Sequence, residues 1–318
     1  MPLVEGYSFQ FQKNTAKKPG SDGFLGIINP DLIQEINNWQ ADAILVYGWA
    51  YQAHLKAIHY FKNKTPVYFR GDSTLLNRKK GIKNSITTIL LRWVYGYIDH
   101  AFYVGTSNKA YFKQYGLQEQ QLTFAPHAID NERFSSSSIK EASALRAQFK
   151  IADHQLLILF SGKLILRKNP LLLLKAFSEL QKSNVHLLFV GNGILENTLK
   201  ARTQELKLTE QVHFLNFQNQ TQMPALYQAC DLFCLPSEVE TWGLAVNEAM
   251  ACSKAILVSN QVGCALDLVK SSVNGEIFES GNEQDLLEKL QFLTQNKSKL
   301  KEYGIASYSI IQNWSFNQ

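Results

Sequence analysis

From about residue 150 onward, short uninterrupted apolar runs alternate with longer amphipathic stretches, and this alternation narrows the possible folds more than any other feature of the chain. The runs are QLLILFSG (155–162), VHLLFVG (185–191), VHFLN (212–216), DLFCLP (231–236) and KAILVS (254–259). Apolar runs of this length, bounded by turn formers, read as strands buried on both faces. Helical segments between them make repeated βα units around a parallel sheet. The first half follows the same plan more sparsely. AILVYGW (43–49), TPVYF (65–69), HAFYVG (100–105) and QLTFAP (121–126) are strand-like, with helices expected near 30–39, 50–62, 84–97 and 106–116.

A chain of 318 residues exceeds one comfortable hydrophobic core, so two α/β domains are expected. The serine run in FSSSSIK (134–140) lacks apolar periodicity and sets the expected boundary, giving domains 1–138 and 139–318. With 45% hydrophobic and 19% charged residues, disordered and fibrous classes are excluded. No apolar run is long enough for a spanning helix, and MPLVEGYSFQFQKN lacks the basic start and apolar core of a signal peptide, so a cytoplasmic location is expected. Cys230, Cys234, Cys252 and Cys264 sit in apolar or small-residue surroundings without a C-x-x-C pair, which favours buried free thiols over zinc or disulfides.

Charge is divided unevenly. Residues 1–140 carry 16 Lys and Arg against 10 Asp and Glu, whereas the remainder carries 16 against 17. The basic half is expected to face something anionic, such as a phosphate-bearing acceptor or a membrane surface. Nucleic acid is not the expected partner, because the bases are not interleaved with aromatics on an evident platform.

Ligands in open α/β sheets sit beyond the carboxyl ends of the strands. The glycine turns at Gly162 and at Gly191-Asn192-Gly193, which runs into the helical ILENTLKARTQEL, therefore mark the expected site face. The most informative stretch is PSEVETWGLAVNEAMACSKAILVS (236–259). Pro236 ends a strand, Gly243 permits a tight turn and LAVNEAMA is helical, which puts Glu240 in the loop and Glu248 two turns into the helix. Between the carboxylates lie the free N–H groups of Gly243, Leu244 and Ala245 at a helix start. Such a start binds anions, while carboxylates accept hydrogen bonds from sugar hydroxyls; a sugar diphosphate needs both. The bland reading makes Glu240 a helix N-terminal charge and Glu248 a solvated helix residue.

These segments resemble a known family. The loop and helix are similar to the E-x7-E signature of retaining GT-B glycosyltransferases, the large family four (glycosyl transferases group 1). AFYVGTSNKAYFKQYG, PHAIDNERF, FSGKLILRKNPLLLLKAF, FVGNG, VGCALDLV and VNGEIF resemble family segments in family order. The resemblance implies a GT-B fold: two Rossmann-like domains with parallel sheets facing a cleft, an acceptor side first and a nucleotide-sugar donor side second. It implies a hexosyltransferase-type enzyme acting with retention in cell-envelope polysaccharide or glycolipid synthesis. It implies that Glu248 holds the nucleotide ribose, Glu240 orients the transferred sugar, and the Gly243–Ala245 amides bind the diphosphate. Lys163 and Lys168 resemble the basic pair that neutralises the diphosphate as the nucleotide leaves. Lys163 replaces a more usual arginine, so a bidentate fork becomes a point charge. Arg167 could share this task, although a solvated loop charge is the favoured reading. The resemblance also implies that the departing phosphate takes the acceptor proton, so no protein nucleophile is expected; the seven histidines are scattered and no acidic cluster has cation-binding spacing, so no metal is expected either. The expected partners are a nucleotide-sugar donor and a carbohydrate or lipid-linked acceptor.

Three departures from the pattern stand out. Where the family often places a histidine at the end of an early strand, PVYFRGDSTLL offers Arg70 and Asp72, which contact the acceptor or donor sugar or pair with each other in the loop. Ser253 and Ala255 stand where the family usually has glycine and proline. The opening strand and glycine-rich loop lie ahead of the segment at which this sequence begins, so the first domain is expected to be truncated. A shortened protein that only binds nucleotide sugars is a rival reading, as is a GT-B epimerase or phosphorylase. Finally, NRKKGIKNSITTILLRWVYGY (77–97) joins Arg78, Lys79, Lys80 and Lys83 to an apolar helix bearing Trp93, Tyr95 and Tyr97. It could dock on an anionic membrane, but a core-packed helix with a solvated basic start is the favoured reading.

Overall fold

A computed structural model describes residues 5–76, 82–136 and 138–316. The chain forms two units, one containing Asn108–Ala125 and most of the chain before it, the other running from Pro126 onward and taking in Gly105–Ser107. The chain thus passes into the second unit at Pro126, ahead of the serine run expected to mark the boundary at 138. The reason is Phe134: its ring is buried and lies 6.0 Å from that of Tyr227 in the second unit, so the segment before the serines is core, not linker. Ser137 lies outside the described residues.

The first unit carries four parallel strands in sequential order: β1 (Ile44–Tyr47), β2 (Val67–Arg70), β3 (His100–Tyr103) and β4 (Leu122–Phe124). The helices α1 (Leu32–Asn38), α2 (Gln52–Phe61), α3 (Ile82–Tyr95) and α4 (Thr106–Gln114) fall where the sequence places them. Alternation in β2 buries Val67 and Phe69. Phe69 meets Tyr95 of α3 and Phe112 of α4 edge-on, at 5.5 and 5.9 Å between ring centroids, which makes aromatic contact the basis of this core.

The second unit contains α5 (Asn131–Ser135), α6 (Ile139–Gln148), β5 (Leu156–Ser161), α7 (Pro170–Leu180), β6 (Val185–Val190), α8 (Glu196–Glu205), β7 (Val212–Leu215) and α9 (Met223–Ala229). It continues with β8 (Leu232–Leu235), α10 (Leu244–Ala251), β9 (Ala255–Ser259), α11 (Ala265–Leu268), β10 (Gly275–Phe278), α12 (Glu283–Leu293) and α13 (Lys297–Ile311). Its six parallel strands run in the order β10-β9-β8-β5-β6-β7, so the sheet grows outward in one direction from β5 and in the other from β8. This is the doubly wound Rossmann order, and its reversal point lies between β5 and β8.

Every residue of β6, β8 and β9 is buried, which is what uninterrupted apolar runs covered on both faces require. All four cysteines are free and buried, and burial pushes the Cys230 thiol up to about 12. β10 was not among the strands expected from the apolar runs. It carries Glu276, buried and 3.2 Å from Lys289 Nζ, so a paired charge interrupts the pattern that would have marked it.

Candidate functional site

The crevice begins with strands that part. β5 and β8 pair only at Ile158 with Leu232 and Leu159 with Phe233, whereas β5 stays paired with β6 through Ser161 and Val190. The carboxyl ends of β5 and β8 are therefore free to diverge at the reversal of strand order, the place where open α/β sheets bind ligands.

Glycines line the β5 and β6 side. A Cβ on Gly191 would lie 2.1 Å from the Gly162 carbonyl oxygen, and one on Gly193 would lie 2.2 Å from that of Leu164. Both positions exclude a side chain because the two loops run backbone against backbone, tied by Leu164 N–H to Asn192 O at 3.0 Å. Close packing thus accounts for these glycines. The same packing brings Ser161, Gly162, Lys163, Gly191, Asn192, Gly193, Phe217, Gln220, Met223 and Glu248 around one cavity of about 590 Å³.

The β8 side supplies the acids. Glu240 sits in the loop after β8, as expected, and Gly243 adopts φ +99° at the start of α10. Glu248 is the fifth residue of that helix, little more than one turn in, because the helix starts at Leu244 and not earlier in the loop. No side chain caps the α10 N-terminus, leaving it the free donors and partial positive charge of a helix start.

The Lys168 ammonium meets the Glu240 carboxylate in an ion pair, each side chain being 16% exposed. Burial, then the neighbouring Arg167 and Lys163, push Lys168 down to about 8. At about 8 the ammonium still stays mostly charged at neutral pH, as its ion pair with Glu240 requires. Lys163 thereby joins the two groups of residues: it lines the cavity with Glu248 and bears electrostatically on Lys168.

Glu248 is half-buried, and burial pushes its carboxyl upward; hydrogen bonds from Tyr227 and Gln220 and the charge of Arg133 oppose this. The Tyr227 hydroxyl donates to Glu248 Oε2 at 2.7 Å, and the Arg133 guanidinium donates to Gln220 Oε1 at 2.6 Å. Arg133 comes from α5, Gln220 from the loop before α9 and Tyr227 from α9. Trp242, buried, donates its indole N–H to Asn247 at 3.0 Å, and Asn247 donates to the His127 carbonyl at 2.9 Å, which locks the glutamate loop onto α10 and the 126–128 segment.

The structure thus brings Glu240, Glu248, Lys163, Lys168 and Gly243–Ala245 to one end of one sheet. Arg70 and Asp72 lie in the first unit, at and just beyond the end of β2. The sequence reading missed Tyr227, Arg133 and Gln220. Arg133 stood within PHAIDNERF, one of the segments of family resemblance, but nothing in its own neighbourhood marks it as a partner of Glu248.

Residues 141–309 match the model of the family described as glycosyl transferases group 1. The chain belongs to that family. Among its relatives, an uncharacterised glycosyltransferase of Methanocaldococcus jannaschii is 31% identical over 43% of this chain and 35% of its own. A Campylobacter jejuni N-acetylgalactosaminyltransferase named for a diacetylbacillosaminyl-diphospho-undecaprenol acceptor is 28% identical over 60% of this chain and 49% of its own. The chain thus spans about a third to a half of these relatives' length. Among solved structures, Anabaena HepE in complex with UDP superimposes with a TM-score of 0.74 at 20% identity, covering 92% of this chain and 80% of HepE. WaaG, a glycosyltransferase of lipopolysaccharide biosynthesis, gives 0.62 at 16% identity over 92% of this chain and 93% of its own. These likenesses bear out the expected fold: two parallel-sheet Rossmann-like units of the GT-B kind.

Proposed function

We propose that this chain transfers a hexosyl group from a nucleotide-sugar donor to the hydroxyl of a carbohydrate or lipid-linked acceptor, with retention at the anomeric carbon, in the synthesis of a cell-envelope polysaccharide or glycolipid. The observation that carries this reading is the placement of Glu248 and Lys163 in one cavity at the β5/β8 reversal, with the Lys168–Glu240 pair beside it. Glu248 accepts hydrogen bonds from the ribose hydroxyls, its orientation fixed by Tyr227. The exposed ring of Phe217 at the cavity wall offers a face for the base. Lys163, Lys168 and the amides at Gly243–Ala245 hold the diphosphate, and Glu240 orients the sugar.

In the reaction the bond from the anomeric carbon to the diphosphate oxygen breaks, and the acceptor oxygen forms its bond on the same face. The acceptor proton passes to the departing phosphate. The lysines and the helix start stabilise the charge gathering there, so the protein contributes position and electrostatics and needs no metal. Arg70 and Asp72 contact the acceptor or the transferred sugar. The reaction takes place on the cytoplasmic side, at the inner face of the membrane when the acceptor is lipid-linked.

Calorimetric titration with UDP, GDP and ADP, followed by a transfer assay with the matching nucleotide sugars and polyprenyl-diphosphate-linked acceptors, tests this reading. Glu248→Gln should weaken nucleotide binding, and Asp72→Ala should lower turnover without weakening it. Binding without turnover on any acceptor would favour a nucleotide-sugar-binding protein, and no binding of any nucleotide would overturn the proposal.

A further inference from the structure

The strand order of the first unit leaves one face of its sheet open. β1, β2, β3 and β4 follow one another in a single direction, and right-handed crossovers then put the connecting helices α2, α3 and α4 on the same face. That face is the core, where Val46, Val67, Phe69 and Ala101 are buried. Leu91, Val94 and Tyr95 of α3 are buried as well, as a core-packed helix requires; its expected basic start, Arg78, Lys79 and Lys80, lies outside the described residues. The other face carries Leu45 and Tyr47 of β1 in register with Tyr68 and Arg70, then with His100 and Phe102. Leu45 and Tyr47 are 45 and 64% exposed, and a cavity of about 680 Å³ opens against Tyr68, His100 and Phe102. All-parallel sheets are normally covered on both faces, so this one calls for a cover.

β1 is also an edge. The Ile44 and Gly48 N–H groups donate to the Pro66 and Arg70 carbonyls on the β2 side, each at 2.9 Å, so the alternation of the ladder turns the N–H and C=O of Leu45 and Tyr47 outward. Such an edge is a template for another strand.

The chain carries a segment that matches it. GYSFQFQ (6–12) alternates aromatic with polar residues and holds no charge. Tyr7, Phe9 and Phe11 stand side by side, with ring centroids 6.3 and 5.2 Å apart, and are 61, 46 and 83% exposed. The polar side is held by its own unit: Gln10 donates to Glu35 of α1 at 3.3 Å, and Asn29 donates to the Gln12 and Lys13 carbonyls at 3.4 and 2.9 Å. Residues 8–13 belong to no strand of either sheet. Tied to α1 and the 29 region, the segment keeps its aromatic side turned outward.

Each copy thus has one open edge and one strand-like segment, which a two-fold axis satisfies together. Covering these five apolar side chains in both copies removes on the order of 1,200 Å² from water, the lower bound of a specific interface. The uncharged segment also brings no base against Arg70 and His100. We propose that residues 7–11 of one copy add as a strand beside β1 of a second, reciprocally, so that the chain forms a two-fold dimer in which the aromatic ladder covers Leu45 and Tyr47. The dimer rests on the first unit alone and is independent of nucleotide binding in the second.

Sedimentation velocity of the full chain across a concentration series tests it, with one double variant on each partner surface. Phe9→Gln/Phe11→Gln removes the apolar side of the segment, and Leu45→Lys/Tyr47→Lys puts charge on the edge; both change only exposed side chains and should keep the wild-type far-UV circular dichroism. The wild type should dimerise, and each variant alone should do so about a hundredfold more weakly. A mixture of the two variants restores one intact segment facing one intact edge, so it should form a heterodimer where neither variant dimerises by itself. A wild-type chain that stays monomeric at every concentration would overturn the proposal and leave the face to a different partner. A dimer that either variant leaves intact, or a mixture that forms no heterodimer, would overturn it too.

Discussion

Replacing Lys168 by Met separates what the Lys168–Glu240 pair does for the fold from what it does for the donor. With the ammonium gone, Glu240 keeps its charge in a site where its side chain is only 16% exposed. Removing one partner of a fully buried pair costs about 3–5 kcal/mol, and the residual solvent contact reduces this to about 2–3 kcal/mol. In a unit of this size that corresponds to a Tm lower by about 5–10 °C. Lys168→Met/Glu240→Gln removes both charges and should recover most of the loss. On the proposed role of Lys168, nucleotide binding should not recover, because the diphosphate would lose a charge-assisted hydrogen bond worth about 1.5–3 kcal/mol, a weakening of about 10- to 100-fold in Lys168→Met and in the double variant. Thermal melts and UDP titrations on the wild type, both single variants and the double variant form a complete cycle. A double variant no more stable than Lys168→Met would refute the buried-pair reasoning. A Lys168→Met variant that binds UDP as tightly as the wild type would refute the role at the diphosphate.

The same lysine gives a pH dependence. Its ammonium is held down at about 8, so UDP affinity should stay level below that pH and weaken as pH rises through it; Lys168→Arg, charged throughout, should flatten the titration profile. Gly193→Ala would place a methyl group 2.2 Å from the Leu164 carbonyl oxygen, against backbone that cannot swing aside, and should destabilise the second unit by about 3 kcal/mol in a denaturant melt. His213, 3.1 Å from His186, is pushed down to about 4 by burial and then by His186. The unfolded chain therefore binds the extra proton first as pH falls, and stability should be lost between about pH 6.5 and 4. With solvent screening the loss is about 1–2 kcal/mol, and melts of His213→Gln across this window should show it largely removed.

Much of the second unit was legible because its strands are covered on both faces. Ile158, Leu188, Phe233 and Leu257 sit in runs so apolar that only a buried parallel strand accommodates them between amphipathic segments. β10 escaped for the opposite reason: Glu276 is tolerated there because Lys289 and the Ser272 N–H meet it, at 3.2 and 3.0 Å, and that compensation is tertiary. Ser253 shows the converse case. The sequence marked it as standing in a glycine position, and its backbone adopts φ +57°, the left-handed conformation that explains why glycine is favoured there.

The site divided along the same line. Glu240, Gly243 and Glu248 belong to one strand–loop–helix passage, so their spacing along the chain carried their spacing in space. Lys163 and Lys168 follow β5 directly and meet that passage because β5 and β8 are neighbours at the reversal of strand order. Tyr227, Gln220 and Arg133 reach Glu248 only after α5 and α9 have packed against α10, a consequence of the whole sheet order and of no local pattern. They are nevertheless the groups that set the charge state of Glu248. Burial pushes its carboxyl toward the neutral form, and these three donors and charges oppose that push. In the role proposed for Glu248, a carboxyl accepts hydrogen bonds from sugar hydroxyls best when ionised, so the residues that sequence spacing cannot reveal are those on which the visible glutamate would depend.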